Sequence, residues 1–192
     1  MARAAMANII TRTRRVIGDT PAPYVFTDDE IQDWLDQCRT EFRYRCLNQI
    51  PTYTSGGGGP YYYSYAAGDW GDWEEDAVLS SGTYATISPT TSDYHIGRWT
   101  FSTEPTRPVY ITGMSYDIYG SGERILLAWA AKLKLEFDFR SDDQAFSRQQ
   151  QAQALLKMAN ELGRRRRDPS VKMVRTDLAG VPDPSLPRRV GF

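Results

Sequence analysis

Apolar residues fall into four stretches with helical spacing, and one long stretch without it separates the second from the third. In the first, Met6, Ile9, Ile10, Thr13, Val16 and Ile17 recur three or four apart, which predicts a helix over about 5–17. Gly18 stops it, and Pro21 stands just beyond. The rest of its surface is expected to carry Arg12, Arg14 and Arg15. The second stretch opens on Thr27-Asp28-Asp29-Glu30, an order in which Thr27 caps the first turn and Glu30 reaches back. Phe26 and Ile31 flank that cap as a hydrophobic staple. Ile31, Trp34, Leu35, Cys38, Phe42 and Leu47 continue one apolar face, so the helix is expected to run from about 28 to 48 and end before Pro51. Leu126, Trp129, Ala130, Leu133 and Phe137 predict a third helix over about 121–139. Ala152, Leu155, Leu156, Ala159 and Leu162 predict a fourth over about 147–162, opened by Ser147 with Gln150 and stopped at Gly163.

Between 51 and 116 the pattern changes. Four consecutive glycines, starting at Gly56, interrupt a stretch rich in Tyr, Thr and Ser. The chain from Pro51 to Ala67 reads as a long loop holding Tyr61, Tyr62 and Tyr63. Residues 84–88, 95–101 and 109–112 have the β-branched and aromatic content of strands, separated by glycine and proline. The expectation is a mainly α fold: a bundle of about four helices, with a small antiparallel β insertion of three or four strands between the second and third. A sheet that small is marginal alone, so its outward face needs the helices or a neighbouring subunit.

Length sets the scale, since 192 residues with 41% hydrophobic content fill one core but hardly two. We therefore expect one domain over 1–163 and an extended arm over 164–192. Charge is nearly balanced, 23 basic residues against 24 acidic, so the molecule as a whole is no general polyanion binder. Its distribution is uneven. From Arg164 onward there are eight basic residues (Arg164, Arg165, Arg166, Arg167, Lys172, Arg175, Arg188 and Arg189) against three Asp. Pro182, Pro184 and Pro187 deny this segment a regular ladder, and it is too poor in apolar residues to build a core. Such an arm docks on a partner, which makes these basic residues and Phe192 the candidate docking set.

Candidate chemistry is sparse. His95 is the single histidine and is expected in a strand, where it reads as an ordinary sheet residue rather than a catalytic base. The glycine run is followed by proline and tyrosines, not by the Lys-Ser of a phosphate-binding loop. Asp69, Asp72, Glu74, Glu75 and Asp76 surround Trp70 and Trp73 but lack the ligand spacing of a calcium loop, so a solvated or inter-subunit charged surface is the expectation. Cys38 and Cys46, eight apart on the expected helix, would stand about 12 Å apart. That exceeds the reach of roughly 7 Å that a disulfide allows, so both read as free thiols. No stretch approaches the ~20 apolar residues of a membrane span, and the expectation is a soluble chain made in the cytosol, without metal or cofactor.

A resemblance adds to this reading. Gly113-Met114-Ser115-Tyr116-Asp117-Ile118-Tyr119-Gly120 leads into Leu126-Leu127-Ala128-Trp129-Ala130-Ala131-Lys132-Leu133, then through Glu136-Phe137-Asp138-Phe139 to Phe146-Ser147-Arg148-Gln149-Gln150. This resembles the head-to-tail adaptor (connector, or head-completion) proteins of tailed bacteriophages. In that family a strand ends in a Tyr-Asp turn, an alanine-rich helix follows, and an acidic loop precedes a Phe-Ser-Arg helix start. The first helix with Phe26-Thr27-Asp28-Asp29-Glu30 is similar to its N-terminal half, whereas the aromatic stretch 51–75 is longer than the family suggests. The resemblance implies a non-enzymatic virion protein of the neck, assembled as a homo-oligomeric ring, commonly of twelve copies. It implies binding to the portal protein after DNA packaging and to a downstream neck or tail-completion protein, with genomic DNA passing non-specifically through the channel. Trp70, Trp73, Trp99, Phe101 and Tyr110 are then the candidate subunit interface, because an aromatic small sheet seeks cover. Two other readings compete: a virion carbohydrate- or receptor-binding protein using the aromatics of 61–73, and a DNA-binding packaging factor using Arg164, Arg165, Arg166 and Arg167 with the Arg12 to Arg15 face.

Overall fold

The computed structural model describes residues 2–53, 59–134, 139–141, 144–146 and 148–167. A short 3-10 turn, Ala4–Met6, leads into α1, Ala7–Ile17. Gly18 ends α1 at φ 75, the left-handed conformation that a residue without a Cβ adopts most cheaply. Helix α2, Asp28–Asp36, carries the expected capping box: Glu30 N–H donates to Thr27 Oγ1, and Thr27 N–H donates to the Glu30 carboxylate. Helix α3 spans Ile118–Lys134 and α4 spans Arg148–Gly163.

The chain is a mixed α/β fold, not a mainly α bundle with a small insertion. Two four-stranded antiparallel sheets stand beside the four helices. The first sheet has the order β1 (Arg39–Cys46), β8 (Tyr110–Tyr116), β4 (Val78–Ser80), β5 (Thr86–Ile87). The second has the order β2 (Asn48–Thr52), β3 (Tyr61–Ala66), β7 (Arg98–Thr100), β6 (Thr91–Asp93). A short hairpin, β9 (Phe139–Ser141) with β10 (Gln144–Phe146), precedes α4.

The expected helix over 28–48 is overturned at its second half. Helix α2 stops at Asp36, and Arg39–Cys46 becomes strand β1, paired with β8 from Arg39 opposite Tyr116 to Cys46 opposite Tyr110. Phe42 fits an inward position at a period of two as well as it fits a helical stripe, and a pairing partner some seventy residues away decides between them. The ladder shifts register between Phe42 and Arg45, with Tyr44 at φ 50 inside the bulge. Both cysteines remain free, but an extended strand now separates them. The expected loop 51–67 is likewise largely strand: Tyr61–Ala66 is the inner strand β3, while 54–58 lie outside the described residues.

Two buried clusters form instead of one core. Met6, Ile10, Ile17, Ile31, Leu35, Tyr116, Ile125, Leu126, Ala159 and Leu162 join the helices. Gly122 permits their close approach, since a Cβ there would stand 3.0 Å from Leu162 Cδ1 and 3.3 Å from Ile17 Cγ2. Leu47, Tyr65, Trp73, Leu79, Trp99, Phe101, Val109 and Ile111, drawn from both sheets, form the second cluster. Among the described residues no helix is long and apolar enough to cross a membrane.

Candidate functional site

The two clusters meet along residues 71–74, which run between the end of β8 and the turn joining β6 to β7. Glu74 N–H donates to Met114 C=O, Tyr116 N–H to Asp72 C=O, and Asp72 and Trp73 N–H to His95 and Tyr94 C=O. Gly71 lies so close to that turn that a Cβ would stand 2.1 Å from His95 O. Asp72 itself is left-handed at φ 54, a conformation aspartate tolerates better than most residues.

This seam buries charge. Asp72 is 6% exposed and Glu74 is 3% exposed, so neither belongs to a solvated acidic surface. A buried carboxylate requires partners, and each has them. Arg12 pairs with Asp72 Oδ1, His95 Nδ1 lies 3.0 Å from the same oxygen, and Arg167 Nη2 lies 3.6 Å from Oδ2. Arg3 Nε stands 3.0 Å from Glu74 Oε1, and the Tyr116 hydroxyl donates to Glu74 Oε2 at 2.8 Å. Burial, and then the neighbouring Glu74 carboxylate, push the Tyr116 phenol well above its ordinary pKa. Arg3 also reaches Asp36 at 2.6 Å, which ties the N-terminal turn to α2.

His95 falls in the β6–β7 turn rather than in the expected strand. Its Nδ1 also meets the Arg12 guanidinium, so a protonated Nδ1 serves Asp72 and an unprotonated one serves Arg12. Ser115 Oγ donates to Gly71 O at 2.6 Å and accepts from Arg167, which commits its proton to the backbone. The chemistry of the seam is therefore the joining of segments by charge. Among the described residues no group of three His, Cys, Asp or Glu is placed to hold a metal ion.

The basic candidates divide. Arg164, Arg165 and Arg166 are exposed after α4. Arg167 turns inward: its N–H donates to Asp117 Oδ2 at 3.0 Å, its Nη1 to Ser115 Oγ at 3.0 Å, and its guanidinium lies over the Trp70 ring at 5.7 Å. Lys172, Arg175, Arg188, Arg189 and Phe192 lie outside the described residues. On α1, the expected basic face is also divided. Arg15 is exposed, Arg12 enters the seam, and Arg14 is 5% exposed, bound to Asp19 at 2.5 Å and Asp28 at 2.7 Å.

Of the interface candidates, Trp73, Trp99 and Phe101 are buried by their own chain and present no surface, while Trp70 and Tyr110 are half-buried. Trp70 packs edge-on against Phe42 at 4.7 Å and lies beneath Arg45. The aromatics of 61–73 thus form no continuous stacking platform, and Tyr61 stacks on Tyr63 instead.

Local pattern did not mark Arg3, Arg12, Asp72 and Glu74 as a joined set, because each partner lies far along the chain. Asp117 did carry a signal, an aspartate at the head of an alanine-rich run, and its Oδ1 accepts from the N–H groups of Tyr119 and Gly120. Comparison of the chain with protein-family models, with curated proteins and with solved structures finds no match.

Proposed function

We propose that this chain is a structural virion protein, a head-to-tail adaptor that binds the portal after DNA packaging, assembles as a ring and continues the DNA channel toward the tail. It performs no reaction and works by docking. The observation that carries the reading is the exit of the C-terminal segment: Arg167 is held at a fixed point, and Arg164, Arg165 and Arg166 beside it are exposed. Clustered guanidinium groups held at a rigid edge favour an acidic protein surface, because the described residues of their own subunit do not neutralise them fully. Among the described residues, Arg166 has one carboxylate within 4 Å, Glu123, at 3.7 Å.

The element order around Tyr116 also supports the reading. Strand β8 ends at Tyr116, Asp117 turns the chain, and the alanine-rich α3 follows, as the resemblance implies. Among the described residues, β1, β5, β2 and β6 are the edge strands of the two sheets, and such edges give a ring neighbour strands to cover.

Sedimentation with the cognate portal ring tests the reading. The full chain should co-sediment at a fixed multiple per portal, and Arg164→Ser/Arg165→Ser/Arg166→Ser, which keeps the Arg167 anchor, should lose most of that binding. Failure of the full chain to bind portal would remove the adaptor reading. Undiminished binding by the triple variant would move docking to another surface.

A further inference from the structure

Among the described residues, one face of the β1-β8-β4-β5 sheet is covered at one end and bare at the other. Met114 of β8 packs against the helical cluster, and Thr112 and Tyr110 follow it on the same side at the strand period of two. Tyr110 stacks on Tyr84, with ring centroids 5.6 Å apart and planes 6° from parallel. Tyr84 in turn meets Tyr44 at 5.3 Å and 89°. Tyr44 and Tyr84 are 55% and 62% exposed, and Val78 beside them, opposite Thr112, is 43% exposed.

The backbone beneath these rings is unusual. Tyr44 at φ 50 and Tyr84 at φ 62 both occupy the left-handed region, which bulky residues rarely adopt. Glycine or asparagine would hold either turn at less cost, and neither would place an aromatic ring in this row.

The sequence supplies a matching ligand. Pro184-Ser185-Leu186-Pro187 has the P-x-x-P order, preceded by Pro182 and followed by Arg188-Arg189. Such segments seat on tyrosine-lined surfaces because proline rings lie flat against aromatic faces and little ordering entropy is lost. Reach is sufficient. Arg167 is bonded to Ser115, and Tyr110 lies five residues earlier on the same strand, about 17 Å away at ~3.4 Å per residue. The chain from Arg167 to Pro182 spans up to about 46 Å at ~3.1 Å per residue. A tether of this length holds the segment at an effective concentration on the order of millimolar, so weak stacking is enough.

We infer that the Tyr44, Tyr84 and Tyr110 row is a docking site for this chain's own proline-containing segment, 182–189. It requires no portal, so it stands or falls apart from the adaptor reading. Cys46 gives a natural probe: it is a free, exposed thiol opposite Tyr110 in the ladder, and Cys38 serves as the comparison thiol. The full chain carrying Leu186→Cys is oxidised mildly at low concentration, where linkage within one chain outpaces linkage between chains. The introduced thiol should join Cys46 about tenfold faster than Cys38, a preference equivalent to ~1.4 kcal/mol. Tyr84→Ala should abolish that preference, and so should Pro184→Ala/Pro187→Ala, which leaves the described residues untouched. Tyr53→Ala, at another exposed tyrosine, should preserve it. Equal rates at the two thiols, or a preference that survives both the Tyr84 and the double proline changes, would overturn the assignment.

Discussion

The carboxylate of Asp117 holds two chain segments at once: Oδ1 caps the start of α3, and Oδ2 accepts the backbone N–H of Arg167 at 3.0 Å, fifty residues further on. The helix start and the exit of the C-terminal segment therefore share one side chain. Asp117→Ala should cost about 1–2 kcal/mol in urea unfolding, the upper range for loss of an N-cap. It should also raise the rate of tryptic cleavage after Arg167. Asp117→Asn keeps an acceptor for the cap and should lose less stability. An alanine variant as stable and as protease-resistant as the parent would contradict the shared role.

Tyr116 makes the stability of the seam depend on alkaline pH. Its hydroxyl donates to Glu74, and its folded pKa lies above the unfolded value of about 10. A group of this kind contributes fully below the unfolded pKa, and its contribution is lost as pH rises toward the folded value. Stability should therefore be insensitive to this group from pH 7 to about 10 and decline above it. Tyr116→Phe should cost about 1.5–3 kcal/mol at neutral pH, the range for a hydrogen bond to a charged group, and should flatten the alkaline decline. Denaturant midpoints collected across pH for both proteins check the two effects separately.

Tyr65 is the opposite case. It is fully buried between the sheets, its hydroxyl has no hydrogen-bond partner among the described residues, and burial raises its pKa. An unpaired buried hydroxyl is a cost that phenylalanine removes without changing the ring packing on Phe101. Tyr65→Phe should leave stability unchanged or raise it by up to about 1 kcal/mol. A loss of more than that in thermal or urea unfolding would show that the hydroxyl is paired after all.

Two glycines separate lack of space from backbone conformation. Gly71→Ala would drive a Cβ against the His95 carbonyl, so the turn and the seam must move apart. That should cost about 3 kcal/mol, the upper end for overpacking. Gly18→Ala meets nothing within 4 Å but keeps φ at 75, and should cost only about 1 kcal/mol. Paired unfolding curves read the difference directly, and equal costs would count against the close approach at Gly71.

The sequence by itself determined the elements whose signals are local. Helix α1 with its Gly18 stop, the Thr27 and Glu30 capping box, and the stripe of α4 each depend on residues within a few positions of one another, so spacing alone specifies them. The burial of Leu126 and Ala130 on one face of α3 was legible for the same reason. Asp117 was half legible, as a residue before a helix but not as an anchor.

Only the tertiary structure decided the rest. Arg39–Cys46 is strand because β8 pairs with it from far along the chain, and a short apolar run fits a period of two as readily as 3.6. Tyr61–Ala66 is strand because β2 and β7 flank it on both sides. Asp72 and Glu74 looked like a solvated acidic patch, and became buried joints because Arg3, Arg12, Tyr116 and Arg167 converge on them from four other segments. Capping and helical periodicity are properties of neighbours in sequence. Strand pairing and the burial of a charge depend on partners that only the closed fold brings within bonding distance.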